Sequence, residues 1–231
     1  MIKKRISSII KRKKKIEKES VIRMYDLRQS GWIEVICGSM YAGKTEELMR
    51  RLNRLSWAKR PFLLFKHEID VRYGDNAQFI VSHSGQRMEA IPVHSSEEIL
   101  NYVRTYIQEH GYLYAVAIDE VQFFDDCVIH ILEVLANEGI RIIVSGLDKD
   151  FRGEPFGIMP QLLTKAEEVT KLTSICSQCG APATRSQRLV DGEPANYDDA
   201  IVMVGAVESY EPRCRHCHEI KNPELEKYKM K

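Results

Sequence analysis

The sequence lacks any long apolar run. No stretch of 18 or more consecutive apolar residues occurs in its 231 residues, which argues against a membrane-spanning helix. No apolar segment follows the basic start, which argues against a signal peptide. The expected location is the cytoplasm, with no membrane partner. Because 44% of the residues are hydrophobic, the chain can bury the core of a medium α/β domain and a small second unit.

The sequence also lacks a general excess of basic charge. The formal net charge is +1, but residues 1–23 carry ten basic residues and two acidic ones, which leaves a net charge of −7 on residues 24–231. An acidic body argues against a surface that coats nucleic acid, so no nucleic-acid partner is expected. Residues 1–23 are predicted to be a disordered extension, because dense like charges repel one another. A basic amphipathic helix and an extension upstream of a second start at Met24 are the alternatives.

From Trp32 onward, short apolar runs alternate with amphipathic segments, as is typical of an α/β protein. The pattern predicts buried strands over 33–37, 62–65, 112–118 and 140–144, helices over 45–58, 95–109 and 127–137, and a hairpin near 79–82 and 89–93. Ser95 and Glu98 form the sequence pattern of a capping box at the start of the second helix. Buried strands separated by helices imply a mainly parallel sheet flanked by helices, which we assign to a domain over residues 24–170.

A glycine-rich segment follows the first predicted strand. Residues 38–45 read GSMYAGKT, which fits the G-x-x-x-x-G-K-[ST] phosphate-binding pattern and lies between a strand and a helix, as that pattern requires. Its backbone N–H groups and the helix N-terminus favour phosphate, Lys44 reaches the β and γ oxygens, and the Thr45 hydroxyl is a ligand for Mg²⁺. The predicted ATP and Mg²⁺ site comprises Gly38, Ser39, Met40, Tyr41, Ala42, Gly43, Lys44 and Thr45.

Two acidic residues end a neighbouring apolar run. Asp119 follows Ala115-Val-Ala-Ile and is the expected second carboxylate for the metal; a cap on the following turn is the structural alternative. Glu120 comes next and can accept a proton from an attacking hydroxyl or water. It is therefore the candidate general base, with a structural salt bridge as the alternative.

The cysteines fall into two groups. Cys176, Cys179, Cys214 and Cys217 form two C-x-x-C pairs, a spacing that suits a closed, structural Zn²⁺ site, although His216 or His218 could replace a cysteine. Such a clamp would close the loop over 180–213 and organise a small domain that, with the C-terminal tail, spans residues 171–231. The anchored loop would either fold over a small substrate or project toward nucleic acid, and the spacing leaves both open. Cys37 and Cys127 stand alone in apolar stretches and are expected in the core.

Several ordered motifs together resemble one family, the type II thymidine kinases of cellular and bacterial kind. These are GSMYAGKT, Asp70-Val-Arg72-Tyr73, Asp119-Glu120-x-Gln122-Phe123-Phe124, Gly146-Leu147-Asp148-x-Asp150-Phe151, the two C-x-x-C pairs and the Val-Gly-Ala…Tyr210 stretch between them. The resemblance runs from about Gly31 to the second cysteine pair. It implies a RecA-like P-loop domain with a zinc-bound lasso loop, and the ATP-dependent phosphorylation of the thymidine 5′-hydroxyl (and of deoxyuridine) in deoxynucleotide salvage.

The resemblance also assigns roles to residues. It carries Glu120 over as the base, Asp70 and Arg72 to the phosphate region, and Gln122 to the nucleotide site. The implied thymidine site is Met40, Phe123, Leu147, Phe151, Ser186 (where the family usually has Thr) and the lasso residues Ile201, Val202, Met203, Val204, Gly205 and Tyr210. A homotetramer and feedback inhibition by thymidine triphosphate are further expectations of the family.

One function of another class fits the same motifs. A RecA-like ATPase with a zinc ribbon would act on nucleic acid and use Glu120 to activate water. The acidic body and the lack of a second basic or aromatic-interleaved stripe argue against it.

Overall fold

Six parallel strands form the central sheet of the protein. The computed structural model describes residues 31–69, 78–201 and 208–220, and the predicted extension over residues 1–23 lies outside them. Its main elements are β1 (Ile33–Gly38), α1 (Lys44–Trp57), β2 (Phe62–His67), β3 (Phe79–Val81), β4 (Arg87–Glu89), β5 (Ile91–Val93), α2 (Ser96–His110), β6 (Ala115–Asp119), α3 (Cys127–Asn137), β7 (Arg141–Gly146), α4 (Met159–Lys165) and β8 (Glu168–Leu172). The strand order is β5-β2-β6-β7-β1-β8, which confirms the predicted parallel sheet.

The helices cover both faces of this sheet. Helix α1 packs its apolar stripe, including Leu48 and Leu52, on one face together with Ile80 of the β3–β4 hairpin. Helices α2, α3 and α4 cover the other face, where Ile99 and Leu132 join the larger core cluster. Because all six strands run the same way, their carboxyl ends lie at one edge, and the segments that follow β1, β6 and β7 meet there.

A small β lobe follows the sheet. Strands β9 (Ser174–Ile175) and β10 (Pro182–Ala183) pair with each other, and β11 (Arg185–Val190) pairs with β12 (Glu193–Pro194) and β13 (Glu208–Arg213). All of these pairings are antiparallel. Its core among the described residues is small and includes Cys176, Ala183 and Cys214, so the lobe has little apolar surface to stabilise it.

Three details differ from the sequence predictions. The hairpin pairs β3 with β4, whereas residues 91–93 form β5 in the central sheet, because Pro92 and its neighbours pair with β2. Ser95 precedes α2 without a side-chain cap, and Glu98 instead accepts a hydrogen bond from the His94 N–H at 3.4 Å. Cys127 is exposed, so its assignment to the core was wrong; it lies in the first turn of α3, where Val128 and Ile129 face inward instead.

A buried charge joins β1, α1 and β7. The carboxylate of Glu34 is fully buried and accepts hydrogen bonds from Arg51 and Arg141 at 2.5 Å each. The Trp32 indole N–H donates to the same carboxylate at 2.6 Å. These two guanidinium partners outweigh the opposing effect of burial and hold the pKa of Glu34 below its usual value.

We expect Glu34→Gln to lower the free energy of unfolding by about 3 kcal/mol, the low end of the range for a broken buried ion pair, because Arg141 and Arg51 lose the buried carboxylate that they share while Arg51 keeps its ion pairs with Glu47 and Glu168. Urea denaturation at pH 7 measures the loss. Glu133→Gln is the matched control, because Glu133 pairs with Lys165 at the surface and the expected loss is below about 1 kcal/mol. Equal losses in the two variants would contradict the role of the buried pair.

The pH dependence gives a second readout of the same charge. The pKa of Glu34 is lower in the folded state than in the unfolded state, where it is about 4.5. The contribution of the Glu34 charge to the free energy of unfolding is therefore complete above about pH 4.5 and is lost as the pH falls through the folded-state pKa. The stability difference between the wild type and Glu34→Gln should therefore shrink as the pH falls below about 4.5. A difference that stays constant down to pH 3 would contradict this assignment.

Candidate active site

The P-loop wraps around the N-terminus of α1. Gly43 has a left-handed backbone (φ 82°), which glycine adopts without steric cost, and it precedes the first residue of the helix. The ammonium group of Lys44 is buried and donates to the carbonyl of Ser39 at 3.0 Å, across the loop. The N–H groups of the first helical turn lie at the same place and favour an anion there. The loop therefore has the geometry of a phosphate site.

Asp119 lies beside this loop at the end of β6. Its carboxylate is buried and accepts hydrogen bonds from the Thr45 hydroxyl (3.3 Å) and from the Ser145 hydroxyl on β7. Hydroxyl and carboxylate oxygens are the ligands that Mg²⁺ prefers in proteins, so Thr45 and Asp119 fit the metal that the sequence predicts. Nothing in the sequence indicated Ser145, since it is 26 residues away and only the β6–β7 pairing brings it to Asp119.

Glu120 directly follows and has a left-handed backbone (φ 51°), which is uncommon for a residue other than glycine. Its buried carboxylate accepts a hydrogen bond from the Gln122 amide at 2.6 Å. The other end of that amide accepts the Leu147 N–H at 3.1 Å. A Cβ on Gly146 would lie 2.6 Å from the amide oxygen, so only glycine leaves room for this bridge. Gln122 thus orients Glu120 and links it to the segment that follows β7.

A cleft opens over these groups. Lys44, Thr45 and Glu120 line it from the sheet side, and Val81 and His83 line it from the hairpin side. The ring of His83 stacks on Tyr41 of the P-loop with centroids 4.5 Å apart. Sequence reasoning missed His83, because the hairpin was predicted without any indication of what it faces. The cleft brings the P-loop, the Thr45 hydroxyl and the Glu120 carboxylate into one place, and Asp119 contacts Thr45 beside it.

The four paired cysteines come together in the β lobe. Their sulfur atoms all lie within 4.8 Å of one another, and those of Cys179 and Cys214 are 3.7 Å apart. Zn–S bonds of about 2.3 Å in a tetrahedron place sulfurs about 3.8 Å apart, so the four thiols fit a structural Zn²⁺. The His218 ring donates from Nε2 to the Phe151 carbonyl at 2.8 Å, so this nitrogen is engaged away from the sulfur cluster.

The β lobe contacts the P-loop directly. The Met40 N–H donates to the Ser186 hydroxyl at 3.0 Å, and the Ser39 hydroxyl donates to the Ala183 carbonyl at 3.4 Å. Two predicted site residues, Met40 and Ser186, are thereby neighbours although 146 residues separate them in sequence. The position of the P-loop and that of the cysteine-clamped lobe are consequently linked.

Three of the other predicted substrate residues, Phe123, Leu147 and Phe151, follow β6 or β7 at the same edge. Phe151 is buried, the Phe123 ring meets the Phe156 ring edge-on at 5.9 Å, and Leu147 is bound through its N–H as described above. Ile201 is exposed, and Tyr210 lies on β13. Asp70, Arg72, Val202, Met203, Val204 and Gly205 lie outside the described residues, so their assignments stay predictions.

Fold and site together define a P-loop nucleotide-binding protein with a possible zinc site. A family model described as thymidine kinase matches residues 31–218, most of the chain. The chain therefore belongs to the thymidine kinase family, which supports a nucleoside kinase that uses ATP.

Two solved structures are similar to this chain over part of its length. One is described as a DNA replication initiation factor: identity is 11%, the TM-score is 0.37, and the match covers 66% of this chain and 44% of the other. The second is the genome packaging NTPase B204 from Sulfolobus turreted icosahedral virus 2 in complex with ATP-gammaS: identity is 12%, the TM-score is 0.40, and the match covers 64% of this chain and 76% of the other. This chain thus spans less than half of the first protein, and at these scores neither likeness bears on function.

Within the described ranges 31–69, 78–201 and 208–220, none of the helices combines the length and apolarity needed to cross a bilayer.

Proposed function

We propose that the protein transfers the γ-phosphoryl group of ATP to the 5′-hydroxyl of thymidine, and of deoxyuridine as a second substrate. The observation that carries this proposal is the position of Glu120. Its carboxylate lies in one cleft with Lys44 and Thr45, and Asp119 precedes it, in a chain that belongs to the thymidine kinase family. A base beside the phosphate loop suits a hydroxyl acceptor.

The reaction assigns a task to each of these groups. Glu120 takes the proton of the 5′-hydroxyl as its oxygen bonds to the γ-phosphorus, and the bond from that phosphorus to the β–γ bridging oxygen breaks to release ADP. Lys44 and the N–H groups at the start of α1 balance the phosphate charge. Thr45 and Asp119 would hold Mg²⁺, which neutralises charge on the phosphate oxygens when bound. Gln122 keeps the Glu120 carboxylate in position through the hydrogen bond given above.

The nucleoside side of the site would lie between the segment after β7 and the β lobe. Phe123 would offer a flat apolar face to a base, the buried Phe151 ring would support the pocket wall, and Met40, Leu147 and Ser186 would complete the proposed pocket with the lasso residues. The Ser186 hydroxyl accepts the Met40 N–H, so it links the phosphate loop to the pocket wall. The C-x-x-C pairs would hold a structural Zn²⁺ that keeps this wall in place.

A product assay tests the proposal. Purified protein is incubated with Mg·ATP and each nucleoside in turn, and nucleoside monophosphate, ADP and free phosphate are quantified. We expect thymidine monophosphate to form in equal amount to ADP. Free phosphate released without any nucleoside, and more rapidly with single-stranded DNA, would overturn the proposal in favour of an ATPase that acts on nucleic acid.

Other expectations stay predictions. They are the domain boundaries at residues 23 and 170, the cytoplasmic location, the homotetramer, feedback inhibition by thymidine triphosphate and the absence of a nucleic-acid partner. Size-exclusion chromatography with light scattering tests the tetramer, and thymidine triphosphate added to the product assay tests the feedback.

A further inference from the structure

An arginine occupies the interior of the β lobe. Arg188 on β11 is fully buried, and it is the largest of the fully buried side chains among the described residues. Its guanidinium lies 4.7 Å from the centre of the Phe151 ring and donates to the Ala200 carbonyl at 2.6 Å. Burying a charge of this size is costly unless it is held by specific partners. The side chain therefore joins a wall of the proposed thymidine pocket to the chain just before residue 201.

A second arginine holds the same short segment, residues 197–200, which we call the stem. The Arg152 guanidinium donates from Nη2 to the Asp199 carbonyl at 2.7 Å. It also lies 4.9 Å from the centre of the Tyr197 ring and 5.4 Å from that of Phe151. Two cations thus bind two successive carbonyls of the stem, and both contact the ring of Phe151.

The strand register directs Arg188 toward the proposed pocket. Residues two apart on a strand share a face, so Arg188 lies on the same face of β11 as Ser186, which contacts the P-loop. Across the ladder, Arg188 pairs with Tyr210 of β13, and directly opposed residues also share a face. Ser186, Arg188 and Tyr210 consequently form one row, and two of the three were assigned to the thymidine site on independent grounds.

We propose that Arg188, assisted by Arg152, is a positioning residue for nucleoside binding: it holds the stem, residues 197–200, in a set place against Phe151 at the wall of the proposed pocket. This inference rests on the proposed thymidine site. Arginine suits the task because one planar guanidinium can lie over a ring and donate to a carbonyl at the same time, which a lysine ammonium does less well. Neither arginine is proposed to touch the transferred phosphoryl group.

The test is steady-state kinetics of Arg188→Met in the full-length protein. Methionine keeps much of the buried apolar contact and removes the charged donor. We expect the KM for thymidine to rise about ten- to hundredfold, the range of a lost hydrogen bond from a charged group. The KM for ATP and kcat should stay within about threefold of wild type, since loss of uniform binding leaves kcat unchanged. Arg188→Lys should recover part of the lost affinity.

Arg185→Lys is the matched control. Arg185 lies on the same strand and donates to the Gly153 carbonyl rather than to the stem, so its thymidine KM should stay at the wild-type value. Zinc content and thermal midpoint are measured for every variant. An unchanged thymidine KM in zinc-loaded Arg188→Met overturns the inference. A fall in kcat together with a rise in the KM values for thymidine and ATP and a loss of zinc also overturns the inference. That result would indicate a purely structural role.

Arg152→Met keeps the inference testable where Arg188→Met fails to fold, because Arg152 is only half-buried. It should raise the thymidine KM in the same selective way, by about fivefold or more, and no selective rise would overturn the inference. The wild type is assayed first. A wild type that phosphorylates no nucleoside refutes the proposed function, whereas an active wild type with unaffected variants refutes this inference alone.

Discussion

Glu120→Gln is expected to lower kcat about 10²- to 10⁴-fold, the usual contribution of a general base. The substitution is chosen because the amide oxygen can still accept the hydrogen bond from Gln122 that now reaches Glu120 at 2.6 Å. The side chain keeps its shape and its hydrogen bond with Gln122 and loses its negative charge and its basicity. Product formation under saturating Mg·ATP and thymidine measures the effect.

The accompanying controls separate chemistry from binding. Glu138→Gln makes the same chemical change at an exposed residue directly after α3 and should leave kcat at the wild-type value. The Kd of Glu120→Gln for ATP, measured by calorimetry, should stay within a few-fold of the wild-type value, since Lys44 and Thr45 are unchanged. If kcat is unchanged in Glu120→Gln, Glu120 is not the base. If ATP binding is lost, Glu120 instead serves to build the phosphate site.

Cys214→Ser is expected to abolish stoichiometric zinc and to lower kcat/KM for thymidine by at least about a hundredfold. Cys214 is buried and its sulfur lies 3.7 Å from that of Cys179. Structural zinc contributes about 10–16 kcal/mol to the folding of small zinc-finger peptides, and strands as short as β9 and β10 have little else to hold them. Metal analysis and the product assay measure the two effects.

Loss of zinc is expected to affect activity because the β lobe contacts the P-loop directly. The lobe supplies Ser186 to the Met40 N–H and Ala183 to the Ser39 hydroxyl, so its loss would release one side of the P-loop and of the nucleoside pocket. Cys127→Ser is the matched control, because Cys127 is exposed and far in sequence from the cluster. A zinc-free Cys214→Ser protein with full activity would contradict the role given to the lobe.

Much of the candidate phosphate site was predictable because its residues are local in sequence. Residues 38–45 carry the loop, the lysine and the hydroxyl in one run, and the apolar strand before Asp119 places that carboxylate at the sheet edge. The cysteine set was equally predictable, since the two cysteines of each C-x-x-C pair lie three residues apart in the sequence. In each case chain connectivity alone restricts where the side chains can lie.

Some assignments depended on packing and could not be made in advance. Cys127 stands in an apolar stretch, yet the packing of α3 leaves it exposed. The charge of Glu34 is tolerated within a buried strand because Arg51 and Arg141 donate hydrogen bonds to it from two other elements. A strand pattern predicts which residues are buried and leaves open which distant cations compensate a buried charge.

The sequence by itself determined the fold class, the phosphate loop, the Asp119–Glu120 pair and the cysteine set, because each of these is written in residues close together along the chain. Only the tertiary structure decided which distant groups contact the candidate site residues: Ser145 contacts Asp119, Ser186 contacts Met40, and Arg188 contacts Phe151 and Ala200. Most of these contacts join segments 26 to 146 residues apart. Their formation follows from strand order and register, which depend on the packing of the whole sheet and lobe rather than on any local pattern.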